Sequence, residues 1–102
     1  PMQVKPVSTY PAAKEDLALV VPTNVPVARV EQVIRQAAGA LIEDLVLFDI
    51  YEGDQVPEGC RSLAFSVRLR ASDHTLTPDE VQKVRADIVS KTGKVLGATL
   101  RG

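Results

Sequence analysis

An α+β fold of order βαββαβ, a four-stranded antiparallel sheet with two helices on one face, is predicted by three features of this sequence. Leu63, Phe65, Val67 and Leu69 alternate with Ser62, Ala64, Ser66, Arg68 and Arg70, the period of a half-buried strand. Pro26 and the run Thr77-Pro78-Asp79-Glu80 each open a stretch whose apolar residues recur at helical spacing. Shorter apolar runs near residues 16–21, 41–52 and 95–101 supply the other strands and complete the order.

Residues 1–14 carry Pro1, Pro6 and Pro11 without a period and read as an extended lead-in, with the domain proper at 15–102. Asp16 to Val21 is the first strand, stopped by Pro22. Val27, Val30, Val33, Ile34, Ala37 and Ala38 form one stripe of the first helix, and Gly39 punctuates its end. In the second strand, Leu41 to Glu52, strict alternation sends Phe48 and Ile50 to the core and Leu47, Asp49 and Tyr51 to the opposite face. Gly53, Pro57 and Gly59 mark the connection to the third strand. In the second helix Thr77 and Glu80 suit a capping box, and Val81, Val84, Ile88 and Val89 form the buried stripe. Gly93 reads as its end, followed by a last strand from Val95 to Arg101 with Leu96, Ala98 and Leu100 facing in. Both crossovers place their helices on the same side, so the topology is ferredoxin-like and leaves one sheet face open.

Composition narrows the function classes. At 102 residues with 45% hydrophobic and 25% charged side chains, the sequence fits one globular domain without an apolar run long enough to span a membrane. The start lacks the apolar stretch of a signal peptide, and Met2 behind Pro1 suggests a fragment or processed product. A lone Cys60 suits a reducing cytoplasm. The net charge of −1 argues against strong nonspecific nucleic-acid binding. It hides an asymmetry, however. Residues 1–59 hold 4 Lys/Arg against 9 Asp/Glu, whereas residues 60–102 hold 8 against 4.

Several residues have a plain reading. His74 has no second histidine or cysteine nearby to complete a metal site, and Cys60 has no catalytic context. Lys83, Arg85, Lys91 and Lys94 form the wet side of the second helix, and Arg68 and Arg70 read as solvated. Glycine-rich phosphate loops and paired catalytic acids are not evident. Neither catalytic residues nor metal ligands are therefore expected.

The open face is the place where chemistry gathers. With strands one and three central, Ala18, Asp49, Tyr51 and Ser62 are expected to converge on one shallow pocket. Tyr51 offers a ring for stacking a base. Asp49 only accepts hydrogen bonds, which suits the N–H donors on a guanine Watson–Crick edge. Ala18 lets a flat ring approach the sheet, and Ser62 can bond at a second edge. The bland alternative treats Asp49 and Tyr51 as solvated residues near a strand end.

Tyr10-Pro11-Ala12 leading to Asp16-Leu17-Ala18, then Leu47-Phe48-Asp49-Ile50-Tyr51-Glu52-Gly53, closely resemble one family. Ser62-Leu63-Ala64-Phe65, Thr75-Leu76-Thr77 with Glu80-Val81, and Leu100-Arg101-Gly102 extend the resemblance over roughly residues 8–102. It is the ferredoxin-fold anticodon-binding domain at the C-terminus of the bacterial phenylalanyl-tRNA synthetase beta subunit. The resemblance implies binding of the anticodon loop of phenylalanine tRNA, with its first anticodon base, a guanine, held by Tyr51, Asp49, Ala18 and Ser62. Phenylalanine, ATP and magnesium chemistry would then belong to other domains of a cytoplasmic enzyme. The domain itself would hold no cofactor, and its partners would be the tRNA, the rest of the beta subunit and the alpha subunit. Two departures lower the positive charge: Lys14-Glu15-Asp16 replaces a basic pair, and His74 stands where arginine is common. Rival readings are an acylphosphatase-like enzyme, which lacks its phosphate loop here, an amino-acid-sensing regulatory module, and a protein-interaction module. An RNA-recognition motif would need more aromatics on strand three.

Overall fold

The computed structural model describes residues 9–101. Strand β1 (Ala13–Pro22) is followed by helix α1 (Val27–Ala38), a short 3₁₀ turn (Gly39–Leu41) and strand β2 (Ile42–Tyr51). Strand β3 (Cys60–Leu69), helix α2 (Pro78–Leu96) and a two-residue strand β4 (Thr99–Leu100) complete the order. The sheet runs β2-β3-β1-β4 with every described pair antiparallel. This is the expected ferredoxin-like arrangement. Part of the expected lead-in, residues 1–8, lies outside the described residues. Ala13 and Lys14 at its other end already belong to β1, paired with Leu69 and Arg68.

Leu17, Leu19 and Val21 of β1 meet Leu63, Phe65, Val67 and Leu69 of β3 in a single cluster with Val30, Ile34, Val81, Val84 and Ile88. Side chains from α1 and α2 enter that one cluster, so both helices cover the same sheet face. Burial of each of these four β3 side chains contributes roughly 1.5–3 kcal/mol, and the pairing register of β1 with β3 holds over ten residues without a break.

Strand β2 departs from simple alternation. Its pairing with β3 slips between Ile42 and Asp44 and again between Leu47 and Asp49. At the second slip Phe48 is the extra residue of a β-bulge, which shifts the period by one. Leu47 pairs with Phe65 and packs against the core, whereas Phe48 is 57% exposed. The expectation for these two residues is therefore reversed. Ile50 regains the parity of Leu63 but remains 49% exposed, at the end of an edge strand that packs little on the helices.

The end of the chain differs as well. Helix α2 runs through Gly93 to Leu96 and stops at Gly97, whose φ of 69° is left-handed. Gly93 stays helical, and a Cβ there would lie 3.3 Å from the Ala98 carbonyl oxygen, so its smallness serves the returning chain. Strand β4 is accordingly short. Ala98 is buried and Leu96 is partly buried against the core, but Leu100 is 39% exposed.

Candidate nucleic-acid interface

Cross-strand pairing arranges the open face in rows. Asp49, Ala64 and Ala18 form one row, and Tyr51, Ser62 and Val20 form the next. The four residues singled out from the sequence thus stand in two adjacent rows of one face. Their accessibility differs. Asp49 is exposed, Ala18 and Tyr51 are half-buried, and Ser62 is only 2% exposed. Ser62 therefore sits in the floor between its two neighbours.

Tyr51 is fixed from two sides. The guanidinium carbon of Arg101 lies 4.6 Å from the ring centroid, a cation–π contact. The Arg101 main-chain N–H donates to the Ala18 carbonyl at 2.9 Å, continuing the β1–β4 pairing onto the open face. Its Nη2 donates to Gln55 Oε1 at 3.0 Å, linking the chain end to the β2–β3 connection. In that connection Val56 is buried and its N–H donates to the Gly53 carbonyl. A Cβ on Gly53 would lie 2.4 Å from the Tyr51 hydroxyl, so the ring rests on space that glycine leaves.

Beside these rows lies a groove of about 360 Å³ lined by Lys14, Asp16, Asp44, Val46, Phe48, Ser66 and Arg68. Phe48 and Val46, 57% and 47% exposed, give it an apolar wall. Sequence reasoning missed this feature, although Leu45-Val46-Leu47-Phe48 gave a signal. Four consecutive apolar residues cannot all follow an alternating pattern in a half-buried strand. Arg101 was equally hidden, because nothing in its spacing points to Tyr51.

The remaining charges are mostly structural. Arg70 bonds through Nε and Nη2 to the two Glu43 carboxylate oxygens, and its Nη1 donates to the Tyr10 carbonyl. The hydrogen bond from Arg70 holds the Glu43 carboxyl below its ordinary range. Arg85 reaches from α2 to the Asp16 carbonyl at 2.9 Å. His74 lies between Asp73, 2.7 Å from Nδ1, and Glu80, 2.9 Å from Nε2. Among the described residues, no group of three or more His, Cys, Asp or Glu side chains could hold a metal. Nor is any described helix long and apolar enough to cross a membrane.

An antiparallel four-stranded sheet with helices on one face, and an acid, a ring and an arginine on the other, defines a ferredoxin-like binding domain. The chain belongs to the ferredoxin-fold anticodon binding domain family, whose model matches residues 8–101. It is similar to phenylalanine–tRNA ligase beta subunits. That of Thermobifida fusca is 50% identical over 96 residues, 94% of this chain and 12% of that protein. The Mycobacterium leprae subunit is 46% identical over 95 residues, covering 93% of this chain and 11% of the subunit. The Geobacillus kaustophilus subunit is 40% identical over 101 residues, covering 99% and 13%. The chain therefore spans about an eighth of the length of these relatives.

Proposed function

We propose that the open face binds the anticodon stem-loop of phenylalanine tRNA for a phenylalanine–tRNA ligase, with the first anticodon base held at Asp49 and Tyr51. The observation that carries this reading is the adjacency of the Asp49–Ala64–Ala18 and Tyr51–Ser62–Val20 rows beside an aromatic ring already fixed in place. Ala18 and Ala64 leave the sheet flat enough for a base. Tyr51 supplies the stacking surface, shared with Arg101, and Asp49 accepts from the guanine N1–H and N2–H₂. Ser62 contributes as the close-packed floor under the base. Amino-acid activation, with its ATP and magnesium, belongs to other parts of the ligase, and the alpha subunit is its partner there. The domain acts in tRNA binding and carries no catalytic residue of its own.

In the intact ligase, Tyr51→Ala is expected to raise the KM for tRNA while leaving phenylalanine activation unchanged. Replacement of the guanine by adenine removes the donors that Asp49 accepts, so wild type should discriminate against it and Asp49→Ala should not. Unchanged tRNA affinity in both single variants would remove the basis for this pocket.

A further inference from the structure

The Phe48 groove is not used by the reading above, and its composition suits a ligand of the same chemistry. Among the polar open-face residues of this otherwise two-layer domain, the β2 bulge presents an exposed phenyl ring. Val46 extends the apolar wall and Ser66 offers a hydroxyl beside it. Lys14 and Arg68 face each other across β1 and β3 at the far end; among the described residues neither side chain is tied by a hydrogen bond or a close ion pair, and the Arg68 charge is felt by Glu43. Two acids, Asp16 and Asp44, also line the groove, so its charge is balanced and favours neither a bare anion nor a polycation.

We infer that Phe48 forms a second base-stacking subsite for single-stranded RNA, taking the nucleotide next to the base at Tyr51, with Lys14 and Arg68 meeting the phosphate that follows. This inference rests on the anticodon-loop reading and extends it by one nucleotide. Continuity is the main argument. Asp49 follows Phe48 directly in β2, and the Ser66 row lies two residues along β3 from Ala64, roughly 6.6 Å away at strand rise. A strand of RNA seated at Asp49 and Tyr51 therefore enters the groove with its next residue. Open four-stranded sheets that bind RNA stack two or three successive bases on aromatic side chains, and Phe48 is the second exposed-face ring that such a path requires. Tyr51 and Phe48 thus stand at opposite ends of the same short run.

The sequence contains no tryptophan, which makes Phe48→Trp a single fluorescent probe of the groove. An anticodon stem-loop should quench this probe, and the same stem-loop with abasic neighbours on both sides of the first anticodon base should not. In parallel, Phe48→Ala should weaken binding of the native stem-loop by roughly 5- to 150-fold, the range of one base–aromatic stack. It should have no further effect on the abasic stem-loop, and Tyr51→Ala should weaken both. Equal loss on both RNAs with Phe48→Ala, no loss on either, or quenching by the abasic RNA would overturn the second subsite. So would Phe48-dependent self-association that RNA does not relieve. If Tyr51→Ala is also without effect on either RNA, the anticodon-loop reading fails with it; if Tyr51 alone matters, only the inference about Phe48 fails.

Discussion

Tyr51 depends on the smallness of Gly53 for its position. The backbone at Gly53 is not left-handed, so alanine is tolerated conformationally there. Its Cβ would nonetheless meet the Tyr51 hydroxyl at 2.4 Å and the ring carbon beside it at 2.7 Å. Those atoms form the far end of a movable side chain, so the ring swings aside and the fold survives. Gly53→Ala is therefore expected to leave the thermal midpoint nearly unchanged while raising the Kd for the anticodon stem-loop about fivefold or more, approaching the value of a lost stack. Calorimetry and an RNA titration on the same variant check both halves. A large fall in stability would mean that Gly53 serves the fold rather than the ring.

At the scale of elements, the start of α2 joins a capping box to a titratable group. The Thr77 hydroxyl accepts from the Glu80 N–H at 3.2 Å, and Glu80 Oε1 accepts from the Thr77 N–H at 3.0 Å. His74 bonds the same carboxylate, and its pKa is raised above the ordinary 6.5, first by Asp73 and then by Glu80. Glu80 is lowered from its ordinary 4.5, first by the Thr77 backbone hydrogen bond and then by His74. The His74 contribution is complete below pH 6.5 and is lost as pH rises through the folded value. The Glu80 contribution is present above pH 4.5 and is lost as pH falls through its own folded value. The helix start is thus most stable between the two. The stability difference between wild type and His74→Gln should shrink as pH rises from 6.5 through the raised folded value of His74. A difference independent of pH would mean that the imidazole acts through packing alone.

The same elements show what was legible in the sequence. The β3 alternation and the Thr77 cap announced themselves because each depends on local spacing. The open face and the positions of Ala18, Asp49, Tyr51 and Ser62 followed from strand parity plus topology. Phe48 escaped because a bulge breaks parity without needing glycine or proline. The end of α2 escaped because Gly93 and Gly97 look alike in sequence. Only Gly97 adopts a left-handed conformation; Gly93 is small because Ala98 returns over it. Arg101 over Tyr51 needs a contact between the chain end and β2, which no local pattern encodes.

At the scale of the whole molecule, charge decides how strongly such a surface can hold RNA. The excess of basic residues in 60–102 does not gather on the open face: Arg70 is engaged with Glu43, Arg85 with the β1 backbone, and Lys83 with Asp87. Lys14, Arg68 and Arg101 lie on the open face, among Asp16, Asp44 and Asp49. Arg101 is occupied by the Tyr51 ring and Gln55, which among the described residues leaves Lys14 and Arg68 for phosphates. Each neutralised phosphate of a single strand contributes about −0.7 to the slope of log K against log salt, so two give roughly −1.4. Binding of the stem-loop should accordingly show a shallow slope near that value, with Lys14→Ala and Arg68→Ala each removing about 0.7 of it. Titrations from low to moderate salt measure the slope directly. A slope steeper than about −2.1, the value for three neutralised phosphates, would require more cations than the described open face offers. It would move the phosphate contacts to the wet side of α2, where Lys91 and Lys94 lie.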